Sequence, residues 1–276
     1  MTIREFWRSV EAIHDVVYFA PDAKERYEAV GLKGFWMGYA ASRSAALGTP
    51  GPELVTALFH GFAPRLIGRA LPDAWSLASR DDVLAVRLDL ARDRLAAAFG
   101  ERDVTRAADA LSTLASRIDV AGRPLAAAHR ALPVPDDALG KLWHAATVLR
   151  EYRGDSHVAV LTAAGLSGVS ANALAVAAGL VDARQREVRG WTEDEWIAAF
   201  GRLQQFGWVE GTTVTDTGRA ARERLEEATD RSCGAGLDQE ATARAYALAH
   251  ELLPLARLVE ESGAVSYPNP TGVPRP

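Results

Sequence analysis

The residues best suited to chemistry lie on a helix that begins near residue 138 and on the segment that follows it. His144 and Glu151 are seven residues apart, so they share one face of that helix. His157 follows an Arg-Gly-Asp link, where Asp155 or Ser156 can cap a new helix and hold the histidine in its first turn. A histidine beside a carboxylate can titrate near neutral pH and act as an acid or a base. We therefore predict His144, Glu151 and His157 as catalytic residues.

The same segment is rich in opposite charges, which allow a second interpretation. Arg150 and Arg153 lie close in sequence to Glu151 and Asp155. At a pocket they would hold a polar ligand, so we predict Arg150, Arg153 and Asp155 as ligand-binding residues. Structural ion-pair networks also gather charges at helix junctions. Ion pairs that simply fasten two helices together are therefore an equal alternative.

A second polar and aromatic cluster lies mostly near the amino terminus. Its members are spaced three or four residues apart on two predicted helices, among glycines and alanines. Such stripes more often form a core, but large side chains beside small ones can also leave a cavity with a polar end. The ligand-binding residues predicted here are His14, Tyr18, Trp36, Tyr39, Arg43 and His129.

The elements that position these residues are almost all helical, because the apolar residues recur at helical spacing and few segments alternate as strands do. A hydroxyl three residues before a carboxylate marks helix starts at Thr2, Ser79 and Thr192. The fold class is mostly α, with an amino-terminal multi-helix domain and a winged-helix-like carboxy-terminal domain. The predicted segments are a helical domain with the pocket (1–155), a winged-helix-like domain (156–235), a helix (236–262) and a proline-rich tail or strap (263–276).

Residues 192–230 have the order helix, short hairpin, helix that is typical of a winged helix. Apolar residues recur at three- and four-residue steps up to residue 206, and two β-prone runs flank the turn at Glu210-Gly211. In winged-helix regulators the helix before the wing lies in the major groove of DNA. The same arrangement can also serve as a lid or a dimer contact.

Charge on that helix opposes DNA binding. Glu193, Asp194 and Glu195 crowd its first turn, and Arg202 is the only basic residue between 192 and 210. Carboxylates stabilise a helix amino terminus, but they also repel the phosphates on which DNA affinity depends. Three arginines between 184 and 189 could form a basic patch beside it. We expect DNA to be a disfavoured partner.

Composition narrows the remaining classes. The chain of 276 residues has 31 Lys and Arg against 36 Asp and Glu, a formal charge of −5 that attracts neither nucleic acid nor an anionic membrane. One cysteine, Cys233, excludes an internal disulfide and a thiolate cluster. The sequence has no metal-binding or phosphate-loop motif, so no metal site is predicted and the cofactor is unknown. Without a signal peptide or a long apolar run, we expect a cytoplasmic protein.

An apolar seam on the predicted helix 238–261 raises the question of a homodimer. Its residues are spaced alternately four and three apart, and Pro254 interrupts the backbone hydrogen bonding. Packing of this seam on its own chain is the alternative to a dimer. The seam residues are Ala241, Ala245, Leu248, Leu252, Leu255 and Val259.

Several long strings resemble those of an actinobacterial family of mostly uncharacterised proteins described as helix-turn-helix proteins. They are GLKGFWMGYAASRSAALG, GRPLAAA, LWHAATVLREYRGDSHVA, and RGWTEDEW followed by RLQQFGWVE. The resemblance extends to about residue 230 and implies a helix-turn-helix fold. It assigns no catalytic or binding role to any residue.

Three functions are compatible with the sequence. The favoured one is a small-molecule-binding protein, or a cofactor-independent enzyme of specialised metabolism, with its site in the helical domain and a degenerate winged helix as lid or dimer contact. The alternative is a ligand-responsive winged-helix regulator that binds DNA. The third is a protein-interaction module, which would carry a large apolar surface patch instead.

Overall fold

The computed structural model describes residues 3–272 and 274–276, and in these the regular elements are helices and one two-stranded hairpin. The helices of the first half are α1 (Ile3–Asp15), α2 (Ala23–Ala29), α3 (Gly34–Ser44), α4 (Pro52–Phe59), α5 (Pro64–Gly68), α6 (Ala74–Leu77), α7 (Arg80–Phe99), α8 (Thr105–Arg117) and α9 (Pro124–Arg130). The second half comprises α10 (Ala138–Ala163), α11 (Gly168–Ala177), α12 (Gln185–Val188), α13 (Glu193–Gln205), β1 (Val209–Glu210), β2 (Thr213–Val214), α14 (Asp216–Ala235) and α15 (Gln239–Glu261). The mostly α fold with a short hairpin wing is confirmed.

Two of the predicted helix caps are present. The Ser79 hydroxyl accepts a hydrogen bond from the Asp82 N–H at 3.1 Å. Thr192 and Glu195 form a reciprocal capping box at the start of α13. Thr2, the third predicted cap, lies outside the described residues.

The link predicted at residues 153–155 is wrong, because α10 continues through it as one helix of 26 residues. Gly154 costs a helix roughly 1 kcal/mol, but tertiary packing overrides this local preference. Tyr152, Asp155 and Ser156 around it are buried, and α10 contacts α1, α7, α8, α9 and α14. Asp155 and Ser156 therefore lie inside a helix and cap no new one.

The buried side chains form two apolar cores. We call the helices around the larger core the body; this core extends from Phe6 to Tyr152 and includes residues of α15. We call residues 161–225 the winged module, whose smaller core extends from Leu161 to Val214, with Leu225 packed against it. The end of α10 extends from the larger core into the smaller one. The segment boundaries predicted from the sequence at residues 155, 235 and 262 remain predictions.

The winged module contains a helix-turn-helix followed by a hairpin. Helix α12 leads through a turn at Gly190, which has φ +78°, into α13. Strands β1 and β2 pair antiparallel, with Val209 opposite Val214 and a two-residue turn at residues 211–212. Helix α11 packs across α13 and closes the core behind them.

The apolar seam of α15 packs within the chain. Leu248 and Leu252 are almost fully buried, and α15 contacts α1, α7 and α8. The seam that suggested a homodimer is therefore not exposed for contact with a second chain. In the described part of the chain no single helix is long and apolar enough to span a membrane, and α10 with α11 reach that length only together, across a 98° bend.

Candidate functional site

A short segment of the body, residues 60–66, holds the winged module through a set of polar contacts that we call the joint. The Ala63 N–H donates to the Arg189 carbonyl at 2.9 Å, and the Trp191 and Asn172 side chains both donate to the Gly61 carbonyl. At Gly168 a side chain would meet the His60 carbonyl at 1.9 Å. The start of α11 therefore lies directly on the body.

The carboxy-terminal residues form a strap across the same region. The sequence predicted either a tail or a strap here. The Pro270 carbonyl accepts hydrogen bonds from Gln185 and Arg189 of the winged module. The Thr271 hydroxyl donates to the Asp15 carboxylate of α1 at 2.9 Å. The strap thus connects α12 with the body.

Between body and module lies a cleft of about 270 Å³, which is the candidate site. Four arginines from both sides of the joint line it, together with two histidines and an apolar wall. The polar lining residues are Tyr39, Arg43, His60, Arg150, His157, Asn172, Gln185, Arg189, Arg222, Glu226 and Thr271. Of the predicted residues, the cleft therefore brings together Tyr39, Arg43, Arg150 and His157.

Glu151, a predicted catalytic residue, lies just behind the cleft and is fully buried in ion pairs. Its carboxylate accepts two hydrogen bonds from Arg43, both at 2.9 Å, and one from Arg150 at 2.9 Å. Burial alone would raise the pKa of Glu151, but the two guanidinium groups hold it well below its usual range. A carboxylate so stabilised is a weak base, and it compensates the charge of the arginines beside it.

The predicted histidines divide between separate places. His129 and His144 line a second, mostly apolar cavity of about 160 Å³, away from His157. His144 contacts the His129 carbonyl at 3.0 Å, and His129 contacts the Arg43 carbonyl at 3.3 Å. Burial lowers the pKa of His129 to about 4, so at neutral pH these imidazoles are uncharged and hydrogen-bonded to the backbone.

The other predicted pocket residues of the amino-terminal cluster are mostly packed into the body. His14 lies between Thr147 and Tyr18, each at 3.0 Å, and stacks on Trp143. Burial lowers the pKa of His14 well below its usual value. Trp36 is the exception, since it remains partly exposed at the outer edge of the aromatic cluster.

Arg153 and Asp155 serve the packing of α10. Arg153 pairs with Glu226 at 2.8 Å and Asp230 at 3.4 Å, which ties α10 to α14. Asp155 accepts the Ala126 N–H at 3.0 Å, at the start of α9. Both side chains thus hold helices together, as the ion-pair alternative describes, and their role in ligand binding stays a prediction.

Seven of the polar lining residues were not among the predicted site residues, and two of these seven stand out. His60 ends α4 with φ +41°, a conformation that side-chain-bearing residues rarely adopt, and its buried Nε2 has no hydrogen-bond partner among the described residues. Arg189 directly precedes the glycine of the helix-turn-helix turn. Its position before a turn glycine was visible in the sequence, but only the fold directs it into a cleft.

A second candidate surface is the exposed face of α13. Asp194, Ile197, Ala198, Arg202 and Gln205 lie on this face, and the Ile197 residue is 62% exposed. Arg202 donates to the hydroxyls of serines at the start of α11. Residues 166–230 hold eleven acidic and seven basic residues, so this surface belongs to a segment with a formal charge of −4.

Glu195, one of the three acids in the first turn of α13, is engaged within the chain. Its carboxylate accepts hydrogen bonds from Arg65 of the body at 2.9 Å and from the Thr192 N–H at 2.8 Å. These contacts lower the pKa of Glu195 to about 2. Glu193 and Asp194 remain exposed to solvent.

Among residues 3–272 and 274–276, no group of three or more His, Cys, Asp or Glu side chains is placed to hold a metal ion. No curated protein and no solved structure matches the chain. The model of a helix-turn-helix family matches residues 3–266, which include both the body and the winged module. With α12, the turn at Gly190 and α13 in place, and with nearly its whole length matched, the chain belongs to this helix-turn-helix family.

Proposed function

We propose that this protein is a ligand-responsive winged-helix regulator of transcription, in which the winged module binds duplex DNA and the cleft binds a small molecule. The observation that carries the proposal is the exposed face of α13 in a helix-turn-helix followed by a hairpin wing. Membership of the family supports DNA as the partner and does not bear out the expectation that DNA is disfavoured. A regulator of this kind would work in the cytoplasm.

The charge distribution on α13 indicates which half of the helix would contact DNA. Glu195 is paired with Arg65 and contributes little net charge, whereas Glu193 and Asp194 would repel phosphates. We therefore assign the contact to the later turns. Arg202 would neutralise a phosphate or read guanine, and Gln205 would read adenine.

The test is fluorescence anisotropy of a labelled random duplex of about 30 base pairs, titrated at several salt concentrations. The variant Arg202→Ala should weaken binding and reduce the slope of log K against log salt by roughly 0.9, the loss of one phosphate contact. Arg106→Ala is the control, because its side chain is 88% exposed on α8 of the body. Absence of binding up to roughly 10⁻⁴ M protein at low salt would refute DNA binding.

A second candidate function is a cofactor-independent enzyme, as the sequence alone favoured. It is supported by His60 and His157 at the cleft, since burial lowers the pKa of both and keeps each imidazole neutral, with a ring nitrogen that can accept a hydrogen bond from a substrate. Turnover of metabolites detected by mass spectrometry would be lost in His60→Ala and His157→Ala. It would persist in His250→Ala, which alters an exposed histidine of α15.

A further inference from the structure

We propose that the cleft binds a small carboxylate with an apolar body, and that Arg189 is the residue that binds the carboxylate group. The inference names the ligand class of the proposed regulator, so its link to DNA rests on the proposed function. The binding site itself is argued from charge, burial and shape, and can be tested without DNA.

Charge at the cleft is balanced for three of its four arginines. Arg43 and Arg150 share Glu151, each at 2.9 Å, and Arg150 also lies 3.3 Å from Glu11. Arg222 lies 3.7 Å from Glu226. Each of these cations therefore has a carboxylate within the chain and needs no anion from outside.

Arg189 is the exception. Among the described residues no carboxylate lies within 4 Å of its guanidinium group, which donates to the neutral Pro270 carbonyl and also interacts with the neutral Tyr39 hydroxyl. Its Nε is buried and has no hydrogen-bond partner among the described residues. The group stacks on the Phe62 ring at 4.3 Å. A partly desolvated cation with a free N–H is poorly satisfied, and a carboxylate from a ligand would supply both the missing charge and the missing acceptor.

The apolar part of the cleft wall indicates the size and character of the rest of the ligand. Phe59, Phe62, Leu161, Leu174 and Leu225 contribute apolar surface from both body and module. A volume of about 270 Å³ is at the small end of ligand pockets. A single uncompensated cation beside such a wall fits a small monoanion with an aromatic or branched alkyl body better than a phosphate or a dianion.

The position of Arg189 couples this site to the helix-turn-helix. It directly follows α12, its carbonyl accepts the Ala63 N–H of the joint, and Thr192 caps α13 three residues later. A ligand carboxylate on Arg189 would also compete with the Pro270 carbonyl of the strap. Ligand binding would thereby change how α12 and α13 are held on the body.

The binding test uses isothermal titration calorimetry of the full chain with benzoate, benzamide and inorganic phosphate. Wild type should bind benzoate at least about 10-fold more tightly than benzamide or phosphate, because a hydrogen bond to a charged group is worth roughly 1.5–3 kcal/mol. Arg189→Gln should lose roughly 10-fold or more in benzoate affinity, and Arg189→Lys should lose less. Arg184→Gln is the matched control, since that side chain is 81% exposed just before α12 and lies outside the cleft lining.

Three results with benzoate and benzamide would overturn the site. They are absence of benzoate binding by wild type, equal binding of benzamide and benzoate by wild type, and unchanged benzoate affinity in Arg189→Gln. The benzamide comparison needs no variant, so it stands even where Arg189→Gln fails to fold. Phosphate binding as tight as that of benzoate would also overturn it, because the apolar wall would then contribute nothing.

A second arm repeats the DNA titration with saturating benzoate. Coupling predicts a change in DNA affinity of about fivefold or more and an equal reciprocal change in benzoate affinity. Benzoate binding without DNA binding would refute the regulator and leave the carboxylate site intact. Binding of both without any mutual effect would refute the coupling alone.

Discussion

Replacing Glu151 by Gln tests whether the buried charges behind the cleft hold the fold or carry out chemistry. The Glu151 carboxylate is fully buried and compensates two arginines, Arg43 and Arg150, through contacts of 2.9 Å. Glutamine has nearly the same shape and removes the negative charge. It leaves one buried guanidinium with an amide and the other with Glu11 alone.

The expected loss of stability is large. Removal of one partner from a buried ion pair typically costs about 3–5 kcal/mol, because the remaining charge is left uncompensated in a poorly solvated place. For a domain of roughly this size, about 2–4 °C of melting temperature correspond to each kcal/mol. We therefore expect Glu151→Gln to lower the melting temperature by about 6–20 °C.

The assay is thermal and urea unfolding followed by circular dichroism. Glu240→Gln is the matched control, because Glu240 also accepts two hydrogen bonds from one arginine, Arg117, but on the exposed surface. That exposed pair should contribute little. A double variant, Arg43→Met with Glu151→Met, should recover part of the loss, since it removes both charges.

Two results would refute this reasoning. One is a melting temperature of Glu151→Gln equal to that of wild type. The other is a double variant whose loss equals the sum of the losses of its single variants, which would mean that Arg43 and Glu151 are not coupled. A stable Glu151→Gln without turnover of an identified substrate would instead favour the catalytic role predicted from the sequence.

Three further predictions concern the fold. Burial raises the pKa of Asp155 from 3.8 to about 7, so the protonated side chain contributes fully to stability below pH 3.8 and this contribution is lost as pH rises through 7. Urea unfolding should therefore show that the stability of Asp155→Asn relative to wild type increases between about pH 4 and pH 8, by up to about 4 kcal/mol. Gly168→Ala places a methyl group against the His60 carbonyl and should lower the melting temperature, whereas Gly201→Ala meets no atom within 4 Å and should gain up to about 1 kcal/mol. Leu248→Glu buries a charge where α15 packs against α1, α7 and α8, and it should unfold the chain. Light scattering of the wild type should give the mass of one chain, because the apolar seam of α15 is buried within the chain.

Much of the local structure could be predicted from the sequence. The capping box at Thr192, the hairpin turn at residues 211–212 and the starts of α7 and α13 agree with expectation to within a residue or two. Each depends on residues a few positions apart, whose propensities and hydrogen bonds act within one or two turns. Gly154 shows the limit, since burial on five neighbouring helices keeps α10 intact where local propensity predicted a break.

By itself, then, the sequence determined the mostly helical class, several helix starts, the wing and the helix-turn-helix order, because periodicity and capping are local properties of the chain. Only the tertiary structure decided which charges meet: Glu151 finds Arg43 108 residues away, whereas Arg189 enters the cleft without a carboxylate partner among the described residues. The physical reason is that the energy of a buried charge depends on what surrounds it in space. Those surroundings arise only when the body, the winged module and the strap pack together.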